Sequence, residues 1–182
     1  MSTQRKKITQ ELVNIVPLVG KSIQLGAATA TPKLVYNGGP LLTSVQVCPV
    51  FWGDAWNQPA QRILSQYLFL FFQKIVSSPF ISQLSEYSVP SYPIKSGSVS
   101  NIITIPHNFT VNLTLDISIR NMLKKQIANG TLPAVTPNRL YFVYLPPGVK
   151  VQKGVGVSCV TFCGYHDAIS SSTCSSPAAS RC

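Results

Sequence analysis

Charge is scarce in this chain, and negative charge most of all. Only 11% of its 182 residues are charged, and the acids number five: Glu11, Asp54, Glu86, Asp116 and Asp167. No second carboxylate lies near Asp54 in sequence, which argues against the paired acids of glycoside hydrolysis. Histidine occurs twice, as His107 and His166, and neither belongs to a His-Glu pair that would set a zinc ligand and a general base on one helix. No unbroken apolar run exceeds the six residues of Tyr67–Phe72, far too few to span a bilayer, so no transmembrane segment is expected. Concentrated positive charge is missing too. The net charge of +10 follows from the shortage of acids, and apart from Arg5-Lys6-Lys7 and Lys124-Lys125 the bases are scattered. No basic stripe is interleaved with stacking aromatics, so nucleic acid is not an expected partner.

At 45% hydrophobic residues, the chain has enough apolar material for one buried core. Its surface must then be dressed largely with Ser, Thr, Asn and Gln. The N-terminus starts basic and reaches a small-residue stretch at Gly26–Ala30. The apolar segment between them, Leu12–Gly20, is broken by Asn14 and Pro17, which makes a poor secretory signal. Sequons at Asn108, Asn112 and Asn129 would accept glycans if the chain is secreted.

Three stretches of different character follow one another. Residues 1–33 form a lead-in, residues 34–167 carry alternating strand and helix patterns, and residues 168–182 are a Ser-rich tail in which every period is lost. Within the middle stretch, Asn37-Gly38-Gly39-Pro40 signals a turn. Ser44–Trp52 reads as a strand whose Pro49 points to an edge or a bulge. Gly53-Asp54 ends it, with Asp54 or Asn57 as a helix cap. From Pro59 to Val76, residues Leu64, Tyr67, Leu68, Phe71 and Ile75 recur at helical spacing and predict a buried face, widened by Phe69, Leu70 and Phe72. A short amphipathic piece at Phe80–Tyr87, a loop over 88–100 and a strand at Ser98–Ile105 come next. A second helix is expected over Leu115–Ala128, with Ile119, Met122, Leu123 and Ile127 inward and Asn129-Gly130 as its left-handed stop. Arg139–Leu145 is nearly all apolar and predicts a central strand covered on both faces. Val155–Phe162 reads as one more strand. The expected class is α/β, a mixed sheet with two main helices packed on it.

Three blocks occur together: Tyr36–Pro40 with Val45–Gly53; Ile127–Pro133 with Asn138–Tyr141 and Leu145–Gly148; and Ser158-Cys159 with Phe162-Cys163-Gly164-Tyr165-His166. In this order and spacing they resemble the phosphate-induced, EXORDIUM-like family of plants and its bacterial and fungal relatives, over roughly residues 34–167. The resemblance implies the N-terminal part of a zincin-like fold and an extracellular location. In the family the chain runs on to a helix bearing a His-Glu-x-x-Glu-like motif, so zinc is implied for full-length relatives. This sequence has no such motif, and no metal-bound cofactor is expected in this chain. It reads as a truncated or degenerate member.

The candidate sites are few. Cys159, Cys163 and His166, with Asp167 beside them, are the one cluster of ligand-type side chains. A local disulfide, inert thiols, or a metal site all fit that spacing. A thiol enzyme would use Cys163 as nucleophile and His166 as base, with Asp167 to orient the ring. Five cysteines leave at least one unpaired, and Cys174 and Cys182 lie in the tail. His107 is expected as a turn residue. Trp52 and Trp56 flank Gly53-Asp54 as a glycan-stacking pair or as core residues. Three functions compete: a non-catalytic relative of a metallopeptidase-like family, an extracellular module binding cell-wall glycan or acting in growth signalling, and a thiol enzyme. Apolar surface left on the long helix or on the central strand would favour self-association.

Overall fold

The computed structural model of the chain describes residues 15–17 and 36–169. In chain order the strands are β1 (Ile15–Pro17), β2 (Gln46–Trp52), β3 (Ser98–Val99), β4 (Ile103–Ile105), β5 (Leu113–Leu115), β6 (Arg139–Tyr144), β7 (Lys150–Lys153), β8 (Gly156–Val157) and β9 (Phe162–Tyr165). Three helices join them: α1 (Pro59–Ile75), α2 (Pro79–Gln83) and α3 (Asp116–Ala128).

The core is built on β2. It runs parallel to β6 on one side, and to β3 and then β4 on the other. Every residue from Val47 to Trp52 is buried. Alternation of side chains divides them between two layers. Cys48, Val50 and Trp52 face Ile119, Met122 and Leu123 of α3, with Leu132 behind them. Val47 packs on the opposite face with Phe72 and Val76, on and just beyond α1, and Phe51 stacks there against Tyr144 at 5.2 Å. Helices therefore cover both faces of a parallel sheet, as such sheets require.

A second, smaller sheet joins β5 parallel to β7 and β7 antiparallel to β8. Its Val151 enters the α3-side core, and the Ser158 hydroxyl accepts the Val151 N–H at 2.8 Å. The α/β class holds, with strands β2 to β8 split between a wholly parallel sheet and a mixed one. Beyond β8, the strand expected over Val155–Phe162 is interrupted. Cys159 takes a positive φ of 60° and its N–H returns to the Phe162 carbonyl, so the chain turns before β9 starts. β9 then pairs antiparallel with β1, which ties part of the 1–33 lead-in to the domain. Residues 170–182, most of the expected tail, lie outside the described residues.

Two strand expectations exchange places. β2, whose Pro49 pointed to an edge or a bulge, is central, and β6, read as central, pairs only with β2 among the described residues. The proline is tolerated because of where its nitrogen points. Val45 and Val47 accept hydrogen bonds from Ser98 and Ser100, so odd-numbered residues of β2 face that neighbour. Pro49 thus meets the gap between β3 and β4, where no ladder acceptor awaits a donor.

Helix α1 turns only part of its expected face inward: Ile75 packs beside Phe72 and Val76, and Leu68 is half-buried. Phe72 and Ser65 are buried, whereas Leu64, Tyr67 and Phe71 are 44%, 66% and 56% exposed. A helix apolar around most of its circumference carries no period that selects one side. The choice is made by Phe72, whose ring sits 5.0 Å from that of Phe142 on β6. Helix α3 behaves as its pattern predicts, with Ile119, Met122 and Leu123 buried and Gly130 at φ 77° closing it.

Candidate functional site

Parallel α/β sheets leave a crevice outside the carboxyl ends of their strands, because the connections there diverge to opposite faces. Here β2 ends at Trp52 and β4 at Ile105, and a cleft of about 490 Å³ opens beside them. Trp52, His107, Asn108 and Phe109 line one side, and Ser118 and Asn121 of α3 line the other.

The near wall is fixed by backbone chemistry. The Gly53 N–H donates to the Ile105 carbonyl at 2.9 Å, and the Asp54 N–H to the His107 carbonyl at 2.9 Å. The Asp54 carboxylate in turn accepts the His107 N–H at 3.1 Å. Asp54 therefore splices the end of β2 onto the segment after β4. It caps no helix; α1 starts from Gln58 with Pro59 in its first turn and without a side-chain cap. The splice sets His107 among aromatics, 5.0 Å from Trp52 and 4.4 Å from Phe109 between ring centroids. Trp52 and Phe109 meet edge to face at 5.0 Å.

Chemically the cleft is neutral. Its lining residues offer amides, hydroxyls, an imidazole and aromatic or aliphatic surface, and include no Asp, Glu, Lys, Arg or Cys. Such a wall can bind and orient a ligand through apolar contact and directed hydrogen bonds, while carrying no charged nucleophile or carboxylate pair.

Several expected site residues fall elsewhere. Trp52 and Trp56 do not form an exposed platform. They are 6% and 4% exposed and lie in different layers, Trp52 in the α3-side core and Trp56 against Phe51 at 4.7 Å. Trp52 ends β2 on the α3 side, whereas Trp56 lies in the 3-10 turn Asp54–Asn57 that folds back onto Phe51, and only Trp52 reaches the cleft. Cys159 and Cys163 are both exposed and are not bonded to each other in this structure. Cys163 alternates with the fully buried Phe162 and so points outward. Among the described residues, no three His, Cys, Asp or Glu side chains share a point that could hold a metal. Cys159, Cys163 and His166 thus lack the converging three- or four-ligand set that zinc needs.

Asp167 does not orient His166. Its carboxylate is bonded by both Arg120 and Lys153. Arg120 also holds Asp116 one helical turn earlier, at 2.8 Å, and Lys153 lies 3.9 Å from Asp116 and 4.7 Å from the centroid of the Tyr165 ring. This network joins α3, β7 and the end of β9. The ammonium of Lys153 holds the Asp167 carboxyl below the usual carboxylate range, and burial pushes the Tyr165 phenol well above its ordinary value. The Asp116–Arg120 pair is visible in sequence as an i,i+4 spacing. Its partners Lys153 and Asp167 are not, since the chain between them turns twice.

The sequon asparagines Asn108, Asn112 and Asn129 are all exposed, and Asn108 stands at the cleft. Burial raises the Cys48 thiol, which sits in the core as expected of a small apolar residue. No described helix is long and apolar enough to cross a membrane.

Fold and site together define an α/β domain with a neutral cleft at the carboxyl ends of its parallel strands. No family model, curated protein or solved structure matches this chain.

Proposed function

We propose that this chain is a non-catalytic α/β domain, akin to the N-terminal part of the EXORDIUM-like, zincin-type proteins that its sequence blocks resemble. In this reading it works by holding a neutral polyhydroxyl ligand of cell-wall glycan type in the cleft between Trp52, His107 and the start of α3. The observation that carries the reading is the composition of that cleft: aromatic, hydroxyl and amide groups with no charged side chain among them. Sugars are bound in this way, by apolar contact with ring faces and by hydrogen bonds to amides and hydroxyls. The volume of about 490 Å³ suits a di- or trisaccharide segment.

Trp52 makes the test direct, because its indole borders the cleft while Trp56 lies in the other layer. Neutral β-linked oligosaccharides are expected to change the intrinsic fluorescence saturably. Asn121→Ala, at an exposed position on α3, is expected to weaken that response about tenfold, which corresponds to about 1.4 kcal/mol for one lost hydrogen-bonding group. The absence of any saturable change at millimolar sugar would remove the glycan reading. One tight zinc per chain by elemental analysis, together with peptide cleavage, would remove the non-catalytic one.

A further inference from the structure

Helix α1 presents two apolar faces. One packs on the sheet through Phe72 and Ser65. The other, formed by Ile63, Leu64, Tyr67, Leu70 and Phe71, is 44–66% exposed. The helical repeat places this second stripe on the side away from the sheet, with Gln66, Gln73 and Arg62 on the ridge between the two faces. Taking about 200 Å² for a whole large side chain, the five residues leave on the order of 500 Å² of apolar surface. That is near the upper end of what a monomer normally shows.

We infer that this face binds the same face of a second copy, with two α1 helices packed antiparallel about Tyr67. Two observations choose this occupant. First, Ala60, Leu64, Tyr67, Phe71 and Lys74 are spaced 4, 3, 4 and 3 residues apart, the seam that meshes with another helix of the same kind. Second, a two-fold axis at Tyr67 is self-complementary: Ile63 falls opposite Phe71, Leu64 opposite Leu70, and Lys74 opposite the small Ala60. The two Lys74 ammonium groups then lie about 20 Å apart at a 1.5 Å rise per residue, well beyond a Debye length of about 8 Å at physiological salt. A parallel pair would instead set Lys74 on Lys74. Doubling the stripe gives roughly 1,000 Å² of buried surface, the lower bound of a specific interface. The dimer is therefore weak and concentration-dependent. A lipid surface fits less well, because interfacial helices carry a strongly basic polar face and here the whole helix offers two cations, Arg62 and Lys74.

Sedimentation analysis of the full chain between 1 and 200 μM (about the range for a weak dimer) tests this. A monomer–dimer equilibrium is expected that tightens as salt rises, since two copies of net charge +10 repel one another. Tyr67→Glu, at the most exposed position of the stripe, is expected to abolish dimerisation with its melting curve at dilute concentration unchanged. Orientation is read from Ala60: Ala60→Glu is expected to tighten the dimer several-fold by meeting Lys74 of the other copy, and Ala60→Lys to loosen it. A monomer throughout the range overturns the proposal, and so do open-ended aggregates that Tyr67→Glu leaves intact. So too does a monomer that binds phosphatidylserine vesicles through Tyr67, weakening as salt rises; that outcome assigns the stripe to a membrane. None of these readings depends on the cleft, so glycan binding stands or falls separately.

Discussion

Gly53 leaves β2 at φ 130°, a backbone state that L side chains rarely adopt. A Cβ built there would lie 2.5 Å from Cγ of Pro146 and 3.1 Å from the Phe109 ring. Both strain and collision therefore oppose any other residue; the hard collision falls on Pro146, and the Phe109 ring of the cleft wall is crowded beside it. Gly53→Ala is expected to destabilise the domain by roughly 2 kcal/mol or more in urea unfolding and to disturb the Trp52 fluorescence. The sequence shows Gly53-Asp54 as the end of a strand, and that much is legible. That Asp54 would bond the backbone of His107, rather than cap a helix, is not, because the two residues are 53 positions apart. The burial of both tryptophans is equally hidden: the same aromatic pair reads as a platform or as core until β2 sets Trp52 in one layer and the turn Asp54–Asn57 sets Trp56 in the other.

At the level of elements, α1 shows what hydrophobic pattern can and cannot decide. Its existence and extent are plain from Pro59 onward, since a run with so many apolar residues and a proline suited to the first turn has few alternatives. Its inward face is not plain. Phe72 is 6% exposed and touches rings on β6, whereas Tyr67 is 66% exposed. Phe72→Ala is accordingly expected to cost about 3–5 kcal/mol, and Tyr67→Ala about 0.5 kcal/mol or less in dilute solution, as measured by chemical denaturation. The opposite order would restore the face that helical spacing suggests. The exchange of β2 and β6 has a similar origin. Apolar content marks both as buried strands, but strand order depends on which segments pair, and a broken neighbour opposite Pro49 lets a proline occupy the middle of the sheet.

Across the whole molecule, two of the five acids meet in one ion network. Asp116 and Asp167 share Arg120 and Lys153, and this fastens the segment after β9 to α3 and β7. The folded Asp167 carboxyl titrates below its unfolded value of about 3.9. Its contribution to stability is therefore present at neutral pH and falls away as the pH drops below about 4 and through the lowered folded value. Asp167 is 39% exposed, so solvent screening keeps the contribution to about 1 kcal/mol at most. Asp167→Asn is expected to lower the melting temperature slightly at pH 7 and to flatten its decline between about pH 5 and 2. An unchanged acid limb would mean that the network contributes nothing to holding this end of the chain.

By itself the sequence determined the α/β class, the two main helices and their stops, the shortage of charge, and the strand-then-turn at Trp52-Gly53. These follow from local conformational preference and from periodicity over a few residues, which act whatever the rest of the chain does. Tertiary structure alone decided which face of α1 is core, which strand is central, and that Trp52, His107 and Asn121 border one cleft. It also decided that Asp167 meets Lys153 and Arg120 rather than His166. Each of these depends on pairing and packing between segments tens of residues apart, and those contacts compete with one another at free energies that local pattern does not encode.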